Sequence, residues 1–252
     1  PLDSESCNCI FCCALAEPSE IGIFDCREAA TPTRLALAAS SSSPGTAAAM
    51  CMDLTAVPAV GPHALLATYE STLSCLWDLR APAQPWSTCL AGEPQSPAIC
   101  SAVVWRKVWI ASSDGQIHLL RVKQTGLEPA GHAKAAATPY NQAAVQPSAA
   151  FKSDKFGVNA FAVRPDLRLV AAARWDRRVE LFDGKTSASL GRLNCHDGGV
   201  LCAAFDRNRG ALAAGGEDGR IAVWGVFSET YTGPVAKQND QEPGTAKADN
   251  PA

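Results

Sequence analysis

The sequence predicts an all-β chain, a β-propeller built from about five recurring blades. Three observations carry that prediction. Short runs alternate apolar and polar residues, the period of a strand. Clusters of Gly, Pro, Asp and Ser stand between the runs and supply turns. One pattern, a turn followed by an alternating run that closes on a large residue, recurs five times within 252 residues. Against these signals, no segment shows an apolar stripe at the helical period of roughly 3.6 residues, and the Ala-rich stretches are interrupted by Pro.

The five runs are 20–25, 72–78, 115–121, 177–183 and 219–224, and they close on Phe24, Trp77, Leu120, Phe182 and Trp224. The intervals between the large residues are 53, 43, 62 and 42 residues. Two of them match the ~40–45-residue period of a four-stranded propeller blade. The two long intervals contain segments read as loop insertions: 31–49, rich in Ser and Ala, and 124–155, rich in Ala, Pro and Gln. In the fourth unit the expected strands are 158–163, 168–173, 177–182 and 187–193, with Arg164-Pro165-Asp166 turning between the first two. In the fifth they are 200–205, 211–215 and 220–224, with Glu217-Asp218-Gly219 as the second turn. The propeller is expected over 1–227. Residues 228–252, poor in apolar side chains, are expected to be a disordered tail, because such a composition cannot offset its ordering entropy.

Asp114, Asp176 and Asp218 each stand six residues before the large residue of their unit, which places an acid in the tight turn before that strand. A turn Asp accepts hydrogen bonds from nearby backbone N–H groups. Pro18 and Ser71 occupy the same position in the first two units.

With these residues in place, the five units resemble WD40 repeats, and Leu76-Trp77-Asp78-Leu79-Arg80 is the clearest local match. Arg174-Trp175-Asp176-Arg177-Arg178-Val179 and the run from Leu212 to Trp224 are similar to a narrower group. That group is the guanine nucleotide-binding protein subunit beta-like protein 1 or ASTRA-associated protein 1 family. The WD40 resemblance implies that the turn Asp orients a His from the preceding loop, which reaches the strand Trp. His196, Asp218 and Trp224 would form that set, although Ala213-Ala214-Gly215-Gly216 lacks the usual hydroxyl. The structural motif thus comprises Trp77, Asp78, Asp114, Asp176, His196, Asp218 and Trp224. A ring of this kind more often has roughly seven blades, so the resemblance leads us to expect an N-terminally incomplete ring. Its open edge would be prone to aggregation. The narrower resemblance implies a scaffold in an ASTRA-type complex, linked to chromatin remodelling and to maturation of PI3K-related kinases. It also implies a nuclear or cytoplasmic location.

Other function classes receive less support. The formal charge of −3 argues against a dedicated nucleic-acid or polybasic membrane protein. No run approaches the ~18 apolar residues of a membrane helix. A Gly-rich phosphate loop, a nucleophile elbow and a zinc-protease helix are all missing from the sequence. His196 with Asp218 is the one pair resembling catalytic machinery, and its recurrence with the repeat favours a structural role, so no catalytic residue is assigned. The 11 cysteines are irregularly spaced and lie mostly among apolar neighbours, which fits reduced, buried thiols. Cys9 and Cys12 form a lone CxxC without a second half, and a strand would point them to opposite faces. Neither a metal nor a cofactor is expected.

Trp175, flanked by Arg174, Arg177 and Arg178, is a candidate protein-interface anchor, with a solvated rim and a nucleic-acid contact as the alternatives. Arg80, closing Trp77-Asp78-Leu79-Arg80, resembles the Trp-Asp-x-Arg element by which some propellers dock onto the adaptor of a cullin-RING ubiquitin ligase. An ordinary blade end is the competing reading. Proteins in a multi-subunit assembly are the expected partners, with neither membrane nor direct nucleic-acid binding.

Overall fold

A computed structural model describes residues 10–15, 17, 19–25, 33–36, 50–91, 96–123, 126–132, 157–194, 196–228 and 231. Within them the chain forms five antiparallel sheets, each threaded in sequence order, and no helix. Blade 1 comprises β1 (Ile10–Ala14), β2 (Ile21–Asp25) and β3 (Thr33–Leu35). Blade 2 comprises β4 (Cys51–Ala56), β5 (Ala64–Tyr69), β6 (Leu73–Asp78) and β7 (Ser87–Leu90). Blade 3 comprises β8 (Ala98–Val104), β9 (Lys107–Ser112), β10 (Ile117–Lys123) and β11 (Gly126–His132). Blade 4 comprises β12 (Val158–Val163), β13 (Leu169–Arg174), β14 (Arg178–Asp183) and β15 (Ser189–Asn194). Blade 5 comprises β16 (Val200–Phe205), β17 (Leu212–Gly216) and β18 (Ile221–Trp224).

The blades stack side by side, so the middle strands are covered on both faces and read as continuous apolar runs. In β9, Val108 and Ile110 pack toward blade 2, while Trp109 and Ala111 pack toward blade 4. In β13, Val170 and Ala172 pack toward blade 3, while Ala171 and Ala173 pack toward blade 5. The Trp109 ring is fully buried, edge-on to Phe161 and Phe182 at 6.2 and 5.5 Å. Truncating such a side chain to Ala costs about 3–5 kcal/mol. Four of the large repeat residues meet a middle-strand aliphatic residue across the hairpin: Trp77 with Leu65, Leu120 with Val108, Phe182 with Val170, and Trp224 with Leu212. Each faces the preceding blade.

Polar staples join neighbouring inner strands. Asp53 on β4 accepts hydrogen bonds from Ser101 N and Oγ on β8 at 2.6 and 2.8 Å. Asn159 on β12 donates to Val200 O on β16 at 2.7 Å. Cys51 and Cys75 lie in the seam between blades 1 and 2, and Cys100 in the seam between blades 3 and 4. Burial pushes these thiols up, to about 11, 12 and 12 respectively. Cys202, by contrast, is exposed. Among the described residues, nothing covers Ile221 and Val223 on the face of blade 5 turned away from blade 4, and they are exposed at 79% and 67%.

The described residues add detail to three expectations. The segments 31–49 and 124–155, read as loop, each carry an outer strand near their start: β3 pairs with β2, and β11 pairs with β10. A blade needs that outer strand to satisfy the backbone groups of the third. Positions 31–32, 37–49, 124–125 and 133–155 of these segments lie outside the described residues. Beyond the expected boundary at 227, Tyr231 has an anchored side chain. The Tyr231 ring lies under the Arg164 guanidinium, 5.5 Å from its centre, and its hydroxyl donates to Arg207 O. Arg164 is buried and paired with buried Asp166 at 2.8 Å, and its Nη1 also donates to Phe227 O at 3.1 Å. The rest of the expected tail, 232–252, lies outside the described residues, as do Cys7 and Cys9.

Candidate functional site

The chain offers two sets of loops, one at each end of its blades. At the first end lie the tight turns between the second and third strands of blades 2 to 5, which contain Ser71, Asp114, Asp176 and Asp218. The residue after each of these takes a left-handed conformation: Thr72 (φ 64°), Gly115 (φ 84°), Arg177 (φ 73°) and Gly219 (φ 73°). Glycine adopts this conformation without strain, whereas Thr and Arg do not.

Each turn closes over a slot in the seam with the preceding blade, formed by the residue two before the turn position and the residue four after it. In blade 3 these are Ser112 and His118, and Ser112 Oγ donates to Asp114 Oδ1 at 2.5 Å. Asp114 Oδ1 also accepts Gln116 N, and Ser112 Oγ lies 3.4 Å from His118 Nε2. Blade 4 fills the slot with Arg174 and Glu180. Glu180 is fully buried, and its Oε2 accepts Arg174 Nη1 at 3.0 Å while Oε1 accepts Arg192 Nε at 3.3 Å and Ser189 Oγ at 3.1 Å. Asp176 lies 3.8 Å from Arg174 Nε.

Blade 5 has Gly216 and Ala222 at the corresponding positions, and His196 from the preceding loop occupies the space. His196 Nδ1 is 3.0 Å from Asp218 Oδ1. A Cβ at position 216 would lie 2.4 Å from His196 Nδ1, so only glycine admits the ring. Asp218 also accepts Asp197 N at 2.9 Å and Arg220 N at 3.1 Å. These backbone donors, foremost Asp197 N, hold its carboxyl at about 2. Trp224 stands opposite Leu212 at the far end of the hairpin and packs into the seam with blade 4. His196 Nε2 is buried and has no hydrogen-bond partner among the described residues. Thus two members of the expected three meet, and the third serves the core.

Trp175 is half-buried and folds back over the start of β12. Its ring covers Gly157, where a Cβ would lie 2.7 Å away, and its Nε1 donates to Asn159 Oδ1 at 2.7 Å. Asn159 then reaches blade 5 through Val200 O, so Trp175 belongs to an interblade staple. Arg174 is buried on Glu180, Arg177 is half-buried at the turn, and Arg178 alone among the flanking basic residues is exposed.

At the opposite end lies a groove of about 710 Å³ beside blade 2. It is lined by the β4–β5 turn with Pro62 and His63, and by the β6–β7 connection with Arg80, Pro85 and Trp86. Trp77 is fully buried, whereas Asp78 and Arg80 stand at the rim. Arg80 Nη2 pairs with Asp78 Oδ2 at 2.7 Å and Nε with Oδ1 at 2.9 Å, and these bonds hold the Asp78 carboxyl at about 2. Sequence reasoning missed Trp86. Its isolated setting, Gln84-Pro85-Trp86-Ser87 outside any alternating run, was the available signal. Among the described residues, no group of three or more His, Cys, Asp or Glu is placed to hold a metal ion, and no helix is long and apolar enough to cross a membrane.

The family model for the WD domain, G-beta repeat, matches residues 187–225, which hold the His196–Asp218 contact. The crystal structure of the Myceliophteria thermophila Cps50 (Swd1) beta-propeller domain superposes with a TM-score of 0.65 at 16% identity, covering 86% of this chain and 67% of that one. The chain has the fold of a WD40 β-propeller. Curated relatives include mouse guanine nucleotide-binding protein subunit beta-like protein 1, 27% identical over 179 residues, with 71% of this chain and 49% of the relative covered. ASTRA-associated protein 1 of Verticillium alfalfae is 26% identical over 216 residues, with 71% and 50% covered. The chain therefore spans about half the length of these relatives.

Proposed function

We propose that the chain is a non-enzymatic scaffold for protein–protein contacts and a component of an ASTRA-type assembly. In that role it acts in chromatin remodelling and PI3K-related kinase maturation, in the nucleus or cytoplasm. The supporting observation is the rigid display of two loop sets on stacked blades, one of them forming a groove with an exposed Trp86. The specific assembly is suggested by the relatives' names alone. The His196–Asp218 contact fits a structural part, since both Asp218 oxygens are already occupied by backbone N–H groups. Affinity purification of the tagged chain with mass spectrometry tests the proposal. Recovery of ASTRA subunits supports it, and recovery of cullin-RING subunits in their place overturns it.

A second reading, a substrate receptor of a cullin-RING ligase, is favoured by one observation: Arg80 is 71% exposed at the rim of the groove. Arg80→Ala abolishes adaptor co-purification under that reading and leaves the partner set unchanged under the first.

A further inference from the structure

The end of the blades that carries Trp86 also carries an excess of positive charge. Its turns expose Arg80, Arg106, Arg168 and Lys185 on blades 2 to 4, and the end of β10 adds exposed Arg121 and Lys123. The carboxylates nearby are mostly occupied. Asp78 is paired with Arg80, Glu128 with Lys123, and Asp166 with buried Arg164. Asp183 caps its own turn, accepting Lys185 N and Thr186 N. Arg106, Arg121, Arg168 and Lys185 form no ion pair among the described residues. Burial, with the Arg121 charge as the second cause, pulls the Lys107 ammonium below its ordinary value. This basic end belongs to a chain whose formal charge is −3, so the asymmetry is local.

The charge borders an apolar trough. The groove of about 710 Å³ adjoins a second depression of about 270 Å³ lined by Arg106 and Lys123. Val60 and Trp86 line both, which makes them one continuous surface. Trp86 is 43% exposed between them, beside Pro85 and across from Pro62. An exposed Trp in a trough with basic groups on one flank is a site for an apolar side chain with acidic neighbours.

We infer that this trough docks an extended acidic peptide segment of a partner protein, with an apolar side chain against Trp86 and carboxylates on Arg106 and Lys123. The Lys123–Glu128 pair yields readily, because both side chains are 47% exposed and exposed pairs contribute little. The lining around Trp86, with Val60, Pro62 and Pro85, suits an aliphatic side chain, and that favours peptide over nucleic acid. The inference rests on the scaffold reading and specifies the chemistry of its partner.

Fluorescence anisotropy of the full chain tests it, with a fluorescein-labelled peptide of alternating Glu and Leu as the probe. A matching peptide of Gln and Leu and a thymidine oligonucleotide serve as comparisons. The Glu peptide is expected to bind more tightly than either. Trp86→Ala, and separately Arg106→Glu with Lys123→Glu, weaken it by about tenfold, while Arg220→Glu at the opposite end leaves it unchanged. Melting curves establish that the variants fold. Absence of binding, binding unmoved by these substitutions, or tighter binding of the oligonucleotide overturns the assignment. Failure here with copurifying partners retained by the variants removes the trough and leaves the scaffold reading standing. A tagged chain that recovers no partner removes the scaffold reading itself.

Discussion

Blades 4 and 5 solve the same packing problem with opposite chemistry. Both place an Asp turn over a seam slot, and both put the next residue at a φ of 73°. Blade 4 fills its slot from within, with a buried ion pair between Arg174 on β13 and Glu180 on β14. Blade 5 leaves the slot empty of its own side chains, and His196 enters from the loop. The difference teaches that the WD-type His is one occupant of a volume that each blade must fill. Glycine at the slot is the condition for using it.

The largest expected effect is in blade 4. Glu180→Ala strands Arg174 and Arg192 beside a buried void, and unpaired buried charge costs about 3–5 kcal/mol. Urea denaturation measures it, and a loss below about 1 kcal/mol would show that water already screens the pair. In blade 5, Gly216→Ala drives a methyl group into His196 and is expected to cost about 2 kcal/mol. Adding His196→Ala should recover part of that loss. If the two losses simply add, the His does not occupy the slot.

Acid titration sharpens the comparison further. The Asp218 carboxyl is held at about 2 against an ordinary 3.8, so its contribution is present above that ordinary value and lost as pH falls through about 2. Asp218→Asn removes this dependence. The stability gap between wild type and variant should be constant above pH about 4 and close toward pH 2. A gap that widens as pH falls contradicts the contact. The smallest effect is favourable: Arg177→Gly relieves a left-handed arginine where blades 3 and 5 carry glycine, and should stabilise by about 0.5–1 kcal/mol. A loss of stability would mean that the Arg177 side chain contributes more than its backbone strain costs.

The sequence made the inner strands legible almost to the residue. The segment expected at 158–163 is β12, and 168–173 is β13 displaced by one. Those strands are covered on both faces, so their apolar content is dense. The outer strand of blade 4, expected at 187–193, is β15, whereas β3 and β11 escaped notice because their patterns are weak. β11 reads Gly-Leu-Glu-Pro-Ala-Gly-His, and its pairing with β10 slips at Leu119/Leu120, near Pro129. Proline cannot donate to the ladder, which blurs the alternation. The Asp turns were legible from a fixed spacing. The slots were not, because their two residues stand on different strands, six positions apart. Charged residues interrupting apolar strands, Arg174 and Glu180 above all, were the sign. Trp175 bonds to Asn159, which also donates to Val200 O of blade 5, a pairing across strands that the sequence spacing does not reveal.

The buried thiols turn these seams into clocks. With ionisation pushed to about 11 or 12, Cys51, Cys75 and Cys100 cannot react with an alkylating reagent at neutral pH until their seams part. Exposed Cys202 reacts from the start and times the reagent itself. Labelling rates at Cys75 and Cys100 then report separately how often blade 1 leaves blade 2 and how often blade 3 leaves blade 4.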